Sequence, residues 1–269
     1  MEPINQRPGL DTAGVAETST YPNGMRPSGA HPNVTQHPDI LERSGVSDWY
    51  GLRPVWRGRL HAIAFIFAMP AGLYLLSATE TTGARIAVAV YWASLAGLFG
   101  TSATYHLRAR SQSAVRWFRR ADHSMIFMLI AGTYTPLCLI ALPRVWGIPM
   151  LVVAWVTALA GVILKMVSLG ERLDDLEPKG KAGLKGGSWL YIVLGWGAVI
   201  TLPVLIGSLN SVQLLLLGAG GVLYTAGAVA FGLHRPILSP ERFGYHEVWH
   251  AMTIAAGTCH FLLVVTLVN

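Results

Sequence analysis

The sequence predicts an all-α integral membrane protein, a bundle of seven transmembrane helices. Three observations carry that prediction. The chain of 269 residues is 52% hydrophobic and only 13% charged, against about 25% charged in soluble domains. Its apolar residues fall into seven runs, each close to the roughly 20 residues that cross a bilayer core as a helix. Its basic residues gather in alternate connections between those runs, the bias that orients multi-pass proteins.

Residues 1–50 stand apart from the rest. They are rich in Pro, Gly, Asn, Ser and Thr and show no apolar periodicity, so they cannot bury enough surface to offset chain entropy. They lack the basic start and apolar centre of a signal peptide. The expectation is a disordered cytoplasmic tail over 1–50, with the seven-helix domain over 51–269.

The runs follow in order. Arg53, Arg57 and Arg59 precede run 1 (60–79), which His61 opens and Pro70 interrupts. Run 2 (85–107) ends at a basic connection carrying Arg108, Arg110, Arg116, Arg119 and Arg120. Run 3 (122–142) begins with Asp122 and His123 and contains Pro136; run 4 (146–167) ends with Lys165 and leads to Arg172, Lys179, Lys181 and Lys185. Run 5 (187–207) contains Pro203. Run 6 (212–233) carries Gly218, Gly220, Gly221 and Gly227 and precedes Arg235 and Arg242; run 7 (246–268) closes the chain. Proline is tolerated in membrane helices, and glycine lets two of them approach closely. The opposite connections offer only Arg85 and Arg144. This asymmetry puts the N-terminus in the cytoplasm and the C-terminus outside, as expected for a plasma-membrane protein.

The net charge of +6 is accounted for by those cytoplasmic connections. No basic face with interleaved aromatics is present, so nucleic acid is excluded as a partner. Cys138 and Cys259 lie within apolar runs and read as buried thiols rather than a disulfide.

Chemistry concentrates at one depth. His246 and His250 are four apart at the start of run 7, one turn apart on one helix face. Neutral imidazoles at that spacing suit zinc, which needs at least a third ligand. Because odd runs start and even runs end at the cytoplasmic face, His61, His106, Asp122 and His123 fall near the same leaflet. Ser102 and His106 form a second pair four apart on one face, with Ser102 about 6 Å deeper.

The patterns Ser102-x3-His106, Asp122-His123-Ser124-Met125-Ile126-Phe127, Ala131-Gly132-Thr133-Tyr134-Thr135-Pro136 and Phe243-Gly244-Tyr245-His246-Glu247-Val248-Trp249-His250 resemble the bacterial haemolysin III family, which belongs with the progestin and adiponectin receptors. The resemblance covers about residues 51–269. It implies seven transmembrane helices, an inside N-terminus and a zinc ion near the cytoplasmic side. It also implies that His106, His246 and His250 bind that zinc, while Asp122 and Ser102 face the water it activates. Three histidines leave the fourth tetrahedral position open, the arrangement of catalytic rather than structural zinc.

On this basis the expected activity is zinc-dependent hydrolysis of a lipid amide or ester, ceramidase-like, at the cytoplasmic leaflet. Membrane lipids are then partners and one of them the substrate. The alternative is a receptor-like or pore-forming protein in which zinc only braces helices. A third reading comes from His246-Glu247-x-x-His250, which fits the zinc-protease motif with Glu247 as general base. Against it, position 256, where the longer metzincin motif wants a third histidine, is Ala256, and Asp174 and Asp175 sit in a lysine-rich connection. Glu247 is rotated about 100° from His246, which suits pairing with a basic residue. His260 lies roughly 15 Å from His250 along the helix, too far to share an ion. Its expected role is a hydrogen bond across helices.

Overall fold

A computed structural model of the chain describes residues 47–48, 51–52, 54–168, 189–239 and 241–269. Most of the polar tail, Arg53, and the connection carrying Asp174, Asp175 and the lysines after run 4 lie outside the described residues. Two short strands, β1 (Ser47–Asp48) and β2 (Gly51–Leu52), pair antiparallel across the tail boundary at residue 50.

Among the described residues, seven helices are long and apolar enough to cross a membrane, and the chain is a multi-pass membrane protein. They are α1 (Arg59–Ser77), α2 (Thr82–Arg108), α3 (Ser113–Ala141), α4 (Arg144–Val167), α5 (Leu190–Ser208), α6 (Ser211–Gly232) and α7 (Tyr245–Val268). Each start has a local cause where a cap is present. Thr81 accepts from the Ala84 N–H ahead of α2, and Ser111 accepts from the Ala114 N–H ahead of α3. Asn210 and Gln213 cap α6 reciprocally, satisfying two of the amides a helix start leaves open.

Proline shapes the interiors. After Pro136, α3 closes in a π turn over Leu137–Ala141. Before Pro203, α5 tightens into a 3-10 turn over Gly197–Thr201. The 3-10 turn is the adjustment expected where a proline ring displaces the regular hydrogen bond of the turn before it.

The core has two parts. One, with Phe127, Tyr134, Ala158, Leu194 and Leu205, joins α3, α4 and α5. The other, with Leu75, Val88, Tyr91, Phe99, Leu129 and Val264, joins α1, α2, α3 and α7. Outward, α4 presents Val145, Ile148, Val152, Val156, Leu159 and Ile163, all exposed at spacings of three and four. Such an uninterrupted apolar stripe is stable when it faces lipid rather than water. The glycines of α6 divide in the same way. Gly220 and Gly227 are buried, and a Cβ at Gly220 would overlap the His260 ring. Gly218 and Gly221 face open space. The close approach at Gly220 lets His260 Nε2 reach the Leu217 carbonyl at 3.3 Å, the cross-helix bond expected of it.

One boundary and one burial differ from what hydropathy suggests. Run 3 begins at 122 by hydropathy, yet its helix starts more than two turns earlier. The Ser111 cap starts it, and Arg116, Arg119 and Arg120 ride on that extension; long basic side chains do this by lying along apolar surface with their heads in the interface. Lys165 lies in the last turn of α4 as expected, but it is 1% exposed, with its Nζ 5.1 Å from the centre of the Tyr191 ring. Both cysteines are free; Cys138 is buried as expected, whereas Cys259 is half-buried.

Candidate metal centre

Two helices build the site. α2 carries Ser102 and His106 on one buried face, 1% and 8% exposed. α7 carries His246 and His250 in its first turns, with His250 1% exposed. Packing α2 on α7 brings the three imidazoles together: one ligand nitrogen from each lies within 4.8 Å of the others. The rings meet edge to face, with centroids 4.9 Å apart for His106 and His246 and 4.6 Å for His246 and His250. Splayed rings let nitrogens converge on one point, where stacked rings would not. Tetrahedral zinc spaces its donors roughly 3.3 Å apart, so small ring rotations close the set. His250 Nδ1 is buried and makes no hydrogen bond among the described residues. The donor set is therefore three imidazoles that can each bind as the neutral ring, and the cluster can hold a metal ion.

The other residues singled out from sequence are placed as follows. Asp122 lies on α3, nine residues beyond Ser113, too far from the helix start for the macrodipole to explain a carboxylate there. Its carboxyl neighbours the Ser102 hydroxyl and the Tyr191 side chain. Ser102 Oγ is buried without an aligned hydrogen bond among the described residues. The fold thus sets Asp122 beside Ser102, one turn below His106. His123 turns the other way: its Nδ1 donates to the Arg119 carbonyl at 2.9 Å, and its own carbonyl accepts from the Tyr191 hydroxyl at 2.8 Å.

Glu247 is fully buried and fully engaged. Its Oε1 accepts from Arg57 Nε at 2.5 Å, and its Oε2 accepts from the Gly244 N–H at 2.8 Å. A carboxylate held by a guanidinium and a helix-capping amide is not a free general base. The protease reading of His246-Glu247-x-x-His250 therefore loses its key residue. The basic partner is Arg57, just ahead of α1, and backbone bonds fasten that segment too: the Val55 and Trp56 amides donate to the Glu241 and Arg242 carbonyls at 2.9 and 3.3 Å.

The lead-in to α1 belongs to the site as well, a contact that helical periodicity does not reveal. Gly58 adopts φ 81, and a Cβ there would come within 2.6 Å of His106 Cβ, so the turn seats directly on a ligand-bearing residue. His61 stacks on His250 with centroids 3.9 Å apart. Phe231 of α6 packs its edge on His246 at 5.2 Å. One available signal was charge: the arginines ahead of the first span and the acid in the first turn of the last, Glu247, need partners at the membrane boundary.

This clasp gives the first expected result. Glu247→Gln leaves Arg57 without its counter-charge, and breaking a buried ion pair from one side costs about 3 kcal/mol. Thermal unfolding in detergent should show a midpoint several degrees lower than wild type. An unchanged midpoint would mean that the pair does not hold α7 to the α1 lead-in.

Comparison with known proteins completes the picture. A family model described as haemolysin-III related matches residues 50–261. The protein named Hemolysin-3 of Bacillus cereus is 31% identical over 147 residues, 55% of this chain and 59% of that protein. The Hemolysin-3 homolog of Bacillus subtilis (strain 168) is 32% identical over 143 residues, 53% of this chain and 59% of that protein. The match thus spans about three-fifths of the length of these curated relatives.

Proposed function

This chain belongs to the haemolysin-III related family, and from its three-imidazole cluster we propose that it is a zinc-dependent integral membrane hydrolase acting on a lipid amide or ester. The observation that carries the proposal is the company the cluster keeps. A bracing metal needs only ligands, whereas here a carboxyl and a buried hydroxyl with no aligned bond stand one turn away. His106, His246 and His250 would hold the zinc, which when bound would supply Lewis acidity able to bring the pKa of water down to about 7.

The chain's own residues do the rest. Asp122 accepts the proton of the attacking water at a carboxylate oxygen. As oxygen bonds to the carbonyl carbon, Ser102 Oγ donates a hydrogen bond to the developing negative charge, an interaction strengthened by the water-poor surround. The carbon–nitrogen or carbon–oxygen bond then breaks, and Asp122 returns its proton to the departing amine or alcohol. Both products carry their atoms in balance: the acid keeps the water's oxygen, and the leaving group gains a proton.

Depth supports the substrate class. The basic connections favour a cytoplasmic N-terminus by the positive-inside rule; in that orientation the site lies near the inner headgroup layer, where a lipid's amide or ester carbonyl lies. A competing reading, suggested by the name the relatives carry, is a cytolytic or receptor-like protein whose metal only ties α2 to α7. Against a pore, the site's polar groups gather at one end of the bundle, and exposed apolar residues cover its flanks.

Purified protein given labelled ceramide-type amides and ester lipids should release fatty acid. The release should stop with a chelator and return with zinc. Equal release after zinc removal, or none from either lipid class, contradicts the proposal.

A further inference from the structure

His61 sits in the first turn of α1, one turn beyond Arg57, and is 2% exposed. Two rings enclose it. His250 stacks on one side, with centroids 3.9 Å apart and planes 22° from parallel, and Phe99 lies tilted at 5.2 Å. Neither ring nitrogen makes a hydrogen bond among the described residues, although the His250 backbone lies nearby. A buried imidazole whose polar atoms find no protein partner marks a place where a ligand or water supplies one.

The stack decides what kind of partner. Imidazole binds a metal in the plane of its ring, at about 2.0–2.1 Å from nitrogen. An ion in the plane of the His250 ring lies well off the nearly parallel plane of His61, away from its lone pair. His61 is therefore excluded as a fourth ligand of the ion that His106, His246 and His250 can share. What it can meet is a small group bound beside that ion on the open side. We infer that His61 is a further catalytic residue, hydrogen-bonding through a ring nitrogen the exchangeable oxygen or anion held at the metal's fourth position. The inference rests on the metal reading above but not on any particular lipid.

The test uses the full purified chain loaded with cobalt(II), whose visible bands report its ligand set, and azide as the probe. His61→Phe keeps the stack and removes both nitrogens; His61→Leu carries the same prediction should the phenylalanine variant fail to fold. The expected result is cobalt bound at one per chain with wild-type bands before azide, and an azide affinity at least tenfold weaker than wild type. His61→Gln, which restores a polar group, should recover part of that loss. Wild-type azide affinity in His61→Phe would reduce His61 to a space-filling ring and overturn the inference. Loss of cobalt, or altered bands before azide, would make it a metal ligand and overturn it as well. Wild type that binds cobalt but never responds to azide would refute an open fourth position while leaving the three ligands intact. Wild type that binds no cobalt would bring down the metal reading itself.

Discussion

Replacing His250 with alanine is expected to leave the purified protein without bound metal. His250 is 1% exposed and contributes one of the three nitrogens lying within 4.8 Å of each other. Weakening a partner that merely orients a ligand costs 10–100-fold in metal affinity, so deleting a ligand outright should cost more than 100-fold. His106→Ala should do the same by a different route. It spares the α7 pair, four residues apart, but removes the only donor of the three that comes from α2. Both changes should also abolish stabilisation by zinc. A site binding only the folded state gains about 2.7 kcal/mol when free metal is 100 times its dissociation constant, a shift visible in thermal unfolding of wild type and absent from either variant. Elemental analysis beside unfolding curves checks the prediction. Undiminished metal in His250→Ala would remove that imidazole from the site.

Asp122→Asn carries the second large effect. The amide matches the carboxyl in shape, so the neighbourhood of Ser102 and Tyr191 stays packed, but it cannot take up a proton. General acid–base groups contribute roughly 10²–10⁴-fold to rate, and a loss in that range is expected for lipid hydrolysis. Metal content should stay at the wild-type value, because Asp122 is not among the three converging ligands. That combination separates catalysis from bracing. A structural zinc predicts unchanged behaviour in Asp122→Asn, and a group needed only for packing predicts a fall in melting temperature alongside any lost activity.

Much of the architecture was legible because it rests on local signals. A bilayer demands long apolar helices, and seven runs stood out by hydropathy alone. The spacing of His246 and His250, and of Ser102 and His106, fixed shared faces because helical periodicity is rigid. Matching their depth needed only the alternation of chain direction. What stayed hidden was long-range. Arg57 and Glu247 meet across 190 residues of sequence, and periodicity says which face a residue occupies but not what covers it. The stack of His61 on His250 was hidden for the same reason: adjacency of α1 and α7 is a property of the closed bundle. The early start of α3 was missed because hydropathy reads Arg116, Arg119 and Arg120 as a loop, whereas the Ser111 cap carries the helix through them. Lys165 shows the converse, a charge that marked a helix end by sequence yet packs against Tyr191.

The most direct test of the site is zinc K-edge X-ray absorption on the purified, metal-replete protein. The account predicts one zinc per chain with three imidazole nitrogens at about 2.0–2.1 Å and one light exchangeable neighbour. A fourth imidazole, a sulfur neighbour from Cys138 or Cys259, or protein that holds no zinc after saturation would contradict it.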